Sequence, residues 1–119
     1  MNVGGNMGAF DRFFIKENLI RKTIEIDNNL YEELKKISEN KYDASVNKLI
    51  NASIEELIST ENLKVYVRDK NEISLKHTLL IRESLVKALD DLKEKYGISV
   101  YKLVNIAIYN SLEEENNLR

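Results

Sequence analysis

The chain has 119 residues, with 18 Lys and Arg against 20 Asp and Glu, a formal net charge of −2, no cysteine and no proline. Such a length supports one small core, or two half-units that share one, and the lack of thiols excludes a disulfide framework or a thiolate metal site. No apolar run approaches the roughly 18 residues that span a bilayer, and the N-terminus lacks the layout of a signal peptide, so a soluble cytoplasmic protein with no membrane partner is expected. A nucleic-acid binder usually carries an overall excess of Lys and Arg, so with this acidic balance any basic surface has to be local.

Residues 1–20 read as an N-terminal arm. Gly4, Gly5 and Gly8 suggest a loose tip, and Phe10, Phe13, Phe14, Leu19 and Ile20 are expected to form a short amphipathic segment docked on the body. A first unit covers residues 21–58. Thr23-Ile24-Glu25-Ile26-Asp27 alternates polar with apolar residues, which is the period of a strand with one buried face. The period then changes to that of a helix: Leu30, Leu34 and Ile37 lie on one side, Glu32, Glu33, Lys35 and Lys36 on the other, and Asn28 or Asn29 offers the cap. After a turn through Asn40 to Asp43, Ser45 is expected to cap a second helix whose inward stripe is Val46, Leu49, Ile50, Ile54, Leu57 and Ile58.

Residues 59–75 form a linker in which Leu63, Val65 and Val67 alternate with Lys64, Tyr66 and Arg68, marking a candidate extra strand. The second unit, residues 76–119, repeats the order. His77-Thr78-Leu79-Leu80-Ile81 is the strand, and Leu85, Leu89 and Leu92 form the first helical stripe. Gly97 stands where a helix ends in a left-handed residue, a conformation glycine adopts without steric penalty. Ser99 caps the last helix, with Val100, Leu103, Val104, Ala107, Ile108 and Leu112 inward.

These two units are copies. A slide of 55 positions pairs Thr23 with Thr78, Ile26 with Ile81, Leu30 with Leu85 and Leu34 with Leu89. One residue fewer in the second turn changes the slide to 54, which pairs Ser45 with Ser99, Val46 with Val100, Lys48 with Lys102 and Asn51 with Asn105. Each copy is one supersecondary unit that needs its twin to cover its apolar face. A five-residue strand alone leaves its backbone unpaired. The expected fold is therefore mostly α with a short antiparallel two-stranded ribbon, the two strands pairing with each other above four helices.

A strand, a helix, a tight turn and Ser-Val opening a second helix together resemble the ribbon-helix-helix (Arc/MetJ-type) DNA-binding family. Its best local match is YGISVYKLVNIAI at 96–108, followed by KYDASVNKLINAS in the first copy, which has one more turn residue and no glycine. Tandem copies in one chain are similar to the TraY-type accessory proteins of conjugative plasmids. This resemblance implies a pseudo-dimer formed within one molecule and sequence-specific binding of double-stranded DNA, as a transcriptional repressor or a plasmid or phage accessory factor. It also implies self-association on adjacent sites, since one four-helix unit covers only one half-site.

A two-stranded ribbon fits the major groove, where base edges carry an unambiguous donor and acceptor pattern. With Ile24, Ile26, Leu79 and Ile81 inward, the reading face is Arg21, Thr23, Glu25, Lys76, Thr78 and Leu80. Arg21 and Lys76 can donate to guanine, the threonines can meet a base or a thymine methyl, Glu25 can accept from cytosine, and Leu80 offers only apolar contact. The second helices begin at Ser45, Val46, Asn47 and Lys48 and at Ser99, Val100, Tyr101 and Lys102. Their free amides and positive dipole ends suit phosphate, and such contacts fix position without reading sequence.

Nothing points to catalysis, a cofactor, a metal or a small-molecule substrate. The chain has one histidine, so His77 is expected to flank the ribbon and has no partner for a catalytic site. Asp90-Asp91 and Glu55-Glu56 diverge around their helices, and Tyr96, Tyr101 and Tyr109 are expected to pack. The competing possibility is a protein-interaction module, antitoxin-like or scaffolding, that kept the fold without DNA binding; Glu25 and Leu80 on the reading face motivate it.

Overall fold

The computed structural model describes residues 17–64 and 66–117. In chain order it contains strand β1 (Leu19–Asp27), helix α1 (Asn28–Ile37), helix α2 (Val46–Thr60), strand β2 (Ser74–Arg82), helix α3 (Glu83–Tyr96) and helix α4 (Val100–Asn117). The phenylalanines and glycines of the expected arm segment lie outside the described residues. Leu19 and Ile20 do not belong to an arm; they open β1. Likewise β2 begins at Ser74, inside the expected linker.

The strands pair antiparallel within the chain. Thr23 faces Thr78, and the ladder runs from Leu19 opposite Arg82 to Asp27 opposite Ser74. The register is symmetric about that threonine pair, because the slide of 55 that relates the copies carries Thr23 onto Thr78. Each strand is nine residues long, beyond the five that alternation alone marks. The flanking residues have pairing partners even where the hydrophobic pattern fades.

Beneath the ribbon lies one core. Ile24, Ile26, Leu79 and Ile81 from the strands meet Leu30, Leu34 and Ile37 of α1 and Leu85, Leu89 and Leu92 of α3. Ile50, Ile54 and Leu57 of α2 and Leu103, Val104, Ala107, Ile108 and Leu112 of α4 complete it. Val46, Leu49, Ile58 and Val100 pack at its edge. Burying this surface supplies the stability that a two-strand ribbon lacks by itself.

The helix starts are tied across copies. The Asn28 amide donates to the Ile73 carbonyl at 2.8 Å, and the Glu83 amide donates to the Asn18 carbonyl at 2.9 Å. One residue further, the Asn29 amide donates to Glu72 Oε1 at 3.4 Å, and the Ser84 amide donates to Glu17 Oε1 at 2.6 Å. Each pair is related by the slide of 55. The residues entering one strand thus satisfy the orphan amides of the opposite copy's first helix. Neither Asn28 nor Asn29 caps α1 as expected. Asp27 holds that position and makes no side-chain cap bond.

The extra residue of the first copy appears as a π turn, Ser38–Tyr42, at the end of α1. In the first copy the Asp43 amide reaches back to Ser38; in the second the Gly97 amide donates to Lys93. Both acceptors and both donors correspond, so one residue is looped out without disturbing the exit. Asp43 and Gly97 each adopt the left-handed conformation, with φ of 47° and 66°.

Among the described residues, the linker ahead of Ser74 holds no strand. Instead, Leu63 and Tyr66 pack against the core, and the segment closes over Asp27. That carboxylate, 1% exposed, accepts from Tyr66 Oη at 2.7 Å and Ser74 Oγ at 2.5 Å and pairs with Arg68 Nε at 3.2 Å. Burial, and then the bond to Asp27, push the Tyr66 phenol above its ordinary range. No helix among the described residues is long and apolar enough to cross a membrane.

Candidate nucleic-acid interface

Alternation along the two strands divides the ribbon into a covered and an open face. Arg21, Thr23 and Glu25 of β1 and Lys76, Thr78 and Leu80 of β2 are all exposed, Leu80 by 40%. The register sets them in three rows: Arg21 opposite Leu80, Thr23 opposite Thr78, and Glu25 opposite Lys76. The threonine hydroxyls are 3.5 Å apart. Rows on one face repeat about every 7 Å, and strands lie about 5 Å apart, so the patch is narrower than the ~12 Å width of a major groove.

The two second helices start beside the free edges of this ribbon. Ser45 Oγ accepts from the Lys48 amide at 3.1 Å and Ser99 Oγ accepts from the Lys102 amide at 3.3 Å; both serines are N-caps, as their positions predict. The amides of Val46, Asn47, Val100 and Tyr101 precede the first intrahelical bond and have no acceptor among the described residues. Val46 and Val100 turn their side chains to the core edge. Tyr101 is half-buried, and Lys48 and Lys102 are exposed.

The Asn47 side chain is bonded to the ribbon. Its Nδ2 donates to the Leu80 carbonyl at 2.8 Å while its Oδ1 accepts from the Leu80 amide at 2.9 Å. It clamps the strand edge.

Two residues that sequence reasoning passed over hold the whole arrangement. Asn51 Nδ2 donates to the Leu80 carbonyl at 2.9 Å, and its Oδ1 accepts from the Arg82 amide at 3.1 Å. Asn105 Nδ2 donates to the Glu25 carbonyl at 2.9 Å, and its Oδ1 accepts from the Asp27 amide at 2.9 Å. Each asparagine also donates to the carbonyl four residues earlier in its own helix. A two-stranded ribbon has two free edges, and the buried parts of those edges need partners. The clamps supply them crosswise: α2 of the first copy holds β2 of the second, and α4 holds β1. The available signal was an asparagine at the same point of both copies, inside an apolar helical stripe.

Charge is unevenly distributed. Besides Arg82, five cations lie on the ribbon and in the first turns of α2 and α4 (Arg21, Lys22, Lys48, Lys76 and Lys102), against one exposed carboxylate, Glu25. None of these six forms an ion pair among the described residues. Arg82 is occupied by Glu55. The acidic run Glu113–Glu115 lies at the far end of α4, where Lys41 pairs with Glu115 at 2.6 Å. His77 stands inward at the ribbon's flank, stacked on Tyr31 with ring centroids 3.8 Å apart. Tyr109 packs against Tyr66 at 5.0 Å, and the Tyr96 hydroxyl donates to Glu61.

No family model, no curated protein and no solved structure matches the chain.

Proposed function

We propose that the chain is a tandem ribbon-helix-helix pseudo-dimer that binds double-stranded DNA by laying the β1–β2 ribbon in the major groove. The observation that carries this reading is the symmetric register about Thr23 and Thr78, which leaves six side chains of mixed donor, acceptor and apolar character on one open face. Arg21 and Lys76 supply donors for guanine, Thr23 and Thr78 the central contact, and Glu25 and Leu80 the features that make the two half-readings unequal. The amides at Val46–Asn47 and Val100–Tyr101, with Lys48 and Lys102, take the flanking phosphates. The local excess of cations supports such a contact in spite of the chain's net charge of −2. In this role the protein is a cytoplasmic repressor or a plasmid or phage accessory factor, and two molecules side by side on adjacent sites give the tight complex.

The test is a mobility-shift titration against duplexes from the chain's own promoter or origin region, across a salt series. Binding should weaken as salt rises, with a log–log slope of about −0.9 per phosphate neutralised. Arg21→Ala or Lys76→Ala should cost about 1–3 kcal/mol on the preferred site and relax preference at one base pair. Lys48→Ala should weaken all duplexes alike. If no duplex is retarded even at low salt, the face meets a protein instead, a role for which exposed Leu80 is suited.

A further inference from the structure

The two ends of the ribbon are filled differently. The slide of 55 carries Tyr31 onto Val86 and His77 onto Lys22. At one end Tyr31 and His77 stack with their planes 13° apart, joining α1 to β2. At the other end both rings are missing, and an open groove of about 700 Å³ runs between β1, α3 and the first turn of α4. That volume lies within the usual range for small-molecule sites, roughly 300–1,000 Å³.

Its floor is apolar: Ile24, Ile81 and Leu89 are buried, and Val86 and Val100 pack half-buried beside them. Its rim carries Lys22, Lys76 and Lys93 against Glu25 and Asp90. None of the three lysines forms an ion pair among the described residues. At the α4 end the wall is Val100 and Tyr101, whose amides have no acceptor among the described residues and stand at the positive end of the helix. The missing rings call for a planar apolar body, and the lysines and helix start call for a negative group at its edge.

We infer that this groove is a binding site for a small aromatic carboxylate, its ring lying where the twin copy packs Tyr31 on His77 and its carboxylate directed to the lysines and the start of α4. The groove shares Lys76 and the start of α4 with the face proposed to meet DNA, but its occupancy does not require that reading and is tested without DNA. Amide chemical shifts of the full chain are followed by NMR during titration with indole-3-acetate, with 3-methylindole as the neutral control. Saturable shifts are expected at Lys22, Val86, Val100 and Tyr101, and indole-3-acetate should bind at least about fivefold more tightly than the control. The double substitution Lys22→His/Val86→Tyr rebuilds the twin's filling and should abolish the saturable shifts while the rest of the spectrum is kept. Should that variant misfold, Lys93→Glu should weaken indole-3-acetate by about fivefold and leave 3-methylindole unchanged. No saturable shift at millimolar ligand, shifts elsewhere, or equal affinity for both probes would overturn the assignment. So would shifts at these amides that follow protein concentration without ligand, which would seat a second copy there.

Discussion

The two copies solve one folding problem with different residues at corresponding points. Where both make the same choice, the position serves the shared architecture: Asn51 and Asn105 clamp strand edges, Glu17 and Glu72 cap the opposite first helix, and Ser45 and Ser99 cap the second. Where they differ, the position has acquired a local task. Asp27 became a buried anchor for the linker while its counterpart Arg82 stayed near the surface. Asn47 grips the ribbon while Tyr101 walls a groove. Internal repetition thus separates what the fold requires from what one half requires.

The largest expected effect breaks the symmetry of the clamps. Asn105→Leu leaves the Glu25 carbonyl and the Asp27 amide without partners in a site only 2% exposed, and should cost about 2–4 kcal/mol. Asn51→Leu removes the equivalent bonds, but the Leu80 carbonyl still accepts from Asn47 Nδ2. It should cost about 1–2 kcal/mol. Urea unfolding of both variants measures the difference; equal losses would mean that Asn47 gives no backup.

Next comes the exchanged pair. Asp27→Ala strands the hydroxyls of Tyr66 and Ser74 and removes the ion pair of Arg68, which keeps its bond to the Glu72 carbonyl, for an expected loss of about 2–3 kcal/mol. Arg82→Ala gives up only an ion pair with Glu55, whose side chain is 61% exposed, so it should cost under about 1 kcal/mol. Comparable losses in thermal or urea unfolding would refute the view that Asp27 holds the linker in a way its counterpart Arg82 does not.

The sequence carries the periodic part of this fold plainly and the crosswise part hardly at all. Alternation in residues 23–27 and the stripes from Leu30 to Leu112 place the strands, helices and core, since burial forces those periods. Gly97 marks its turn because a left-handed residue favours glycine. The functions of Asn51, Asn105, Glu17 and Glu72 depend on which copy they reach, and spacing along one copy contains no such information. The linker misled for a related reason: the alternation of Leu63 with Tyr66 and Arg68 serves contacts to the core and to Asp27, a target set by the other end of the chain. Tyr101 and Val86 matter at the groove through what their counterparts are, which only the superposed halves reveal.

A smaller effect compares the two left-handed turns. A Cβ at Gly97 would meet nothing within 4 Å, so Gly97→Ala tests backbone conformation alone and should cost about 1 kcal/mol. Asp43 already bears a side chain at φ 47°; Asp43→Gly should gain a few tenths to about 1 kcal/mol. A loss for Asp43→Gly would instead assign the aspartate a role in holding the π turn.

The smallest effect sets the filled end of the ribbon against the open one through pH. Burial, opposed by the charge of Glu32, lowers the His77 pKa below the ordinary 6.5, and its Nε2 is buried with no hydrogen-bond partner among the described residues. On acidification the unfolded chain therefore takes up the proton before the folded one does. This contribution to stability is complete above about pH 6.5, declines as pH falls toward the lower folded value, and is constant below it. His77→Phe keeps a ring on Tyr31 and cannot titrate, so the fall in urea midpoint between about one pH unit above and one below 6.5 should shrink. With a single histidine in the chain, no second imidazole complicates the comparison. The corresponding place at the open end holds Lys22 and no imidazole, so a Lys22→Ala variant should retain the wild-type slope.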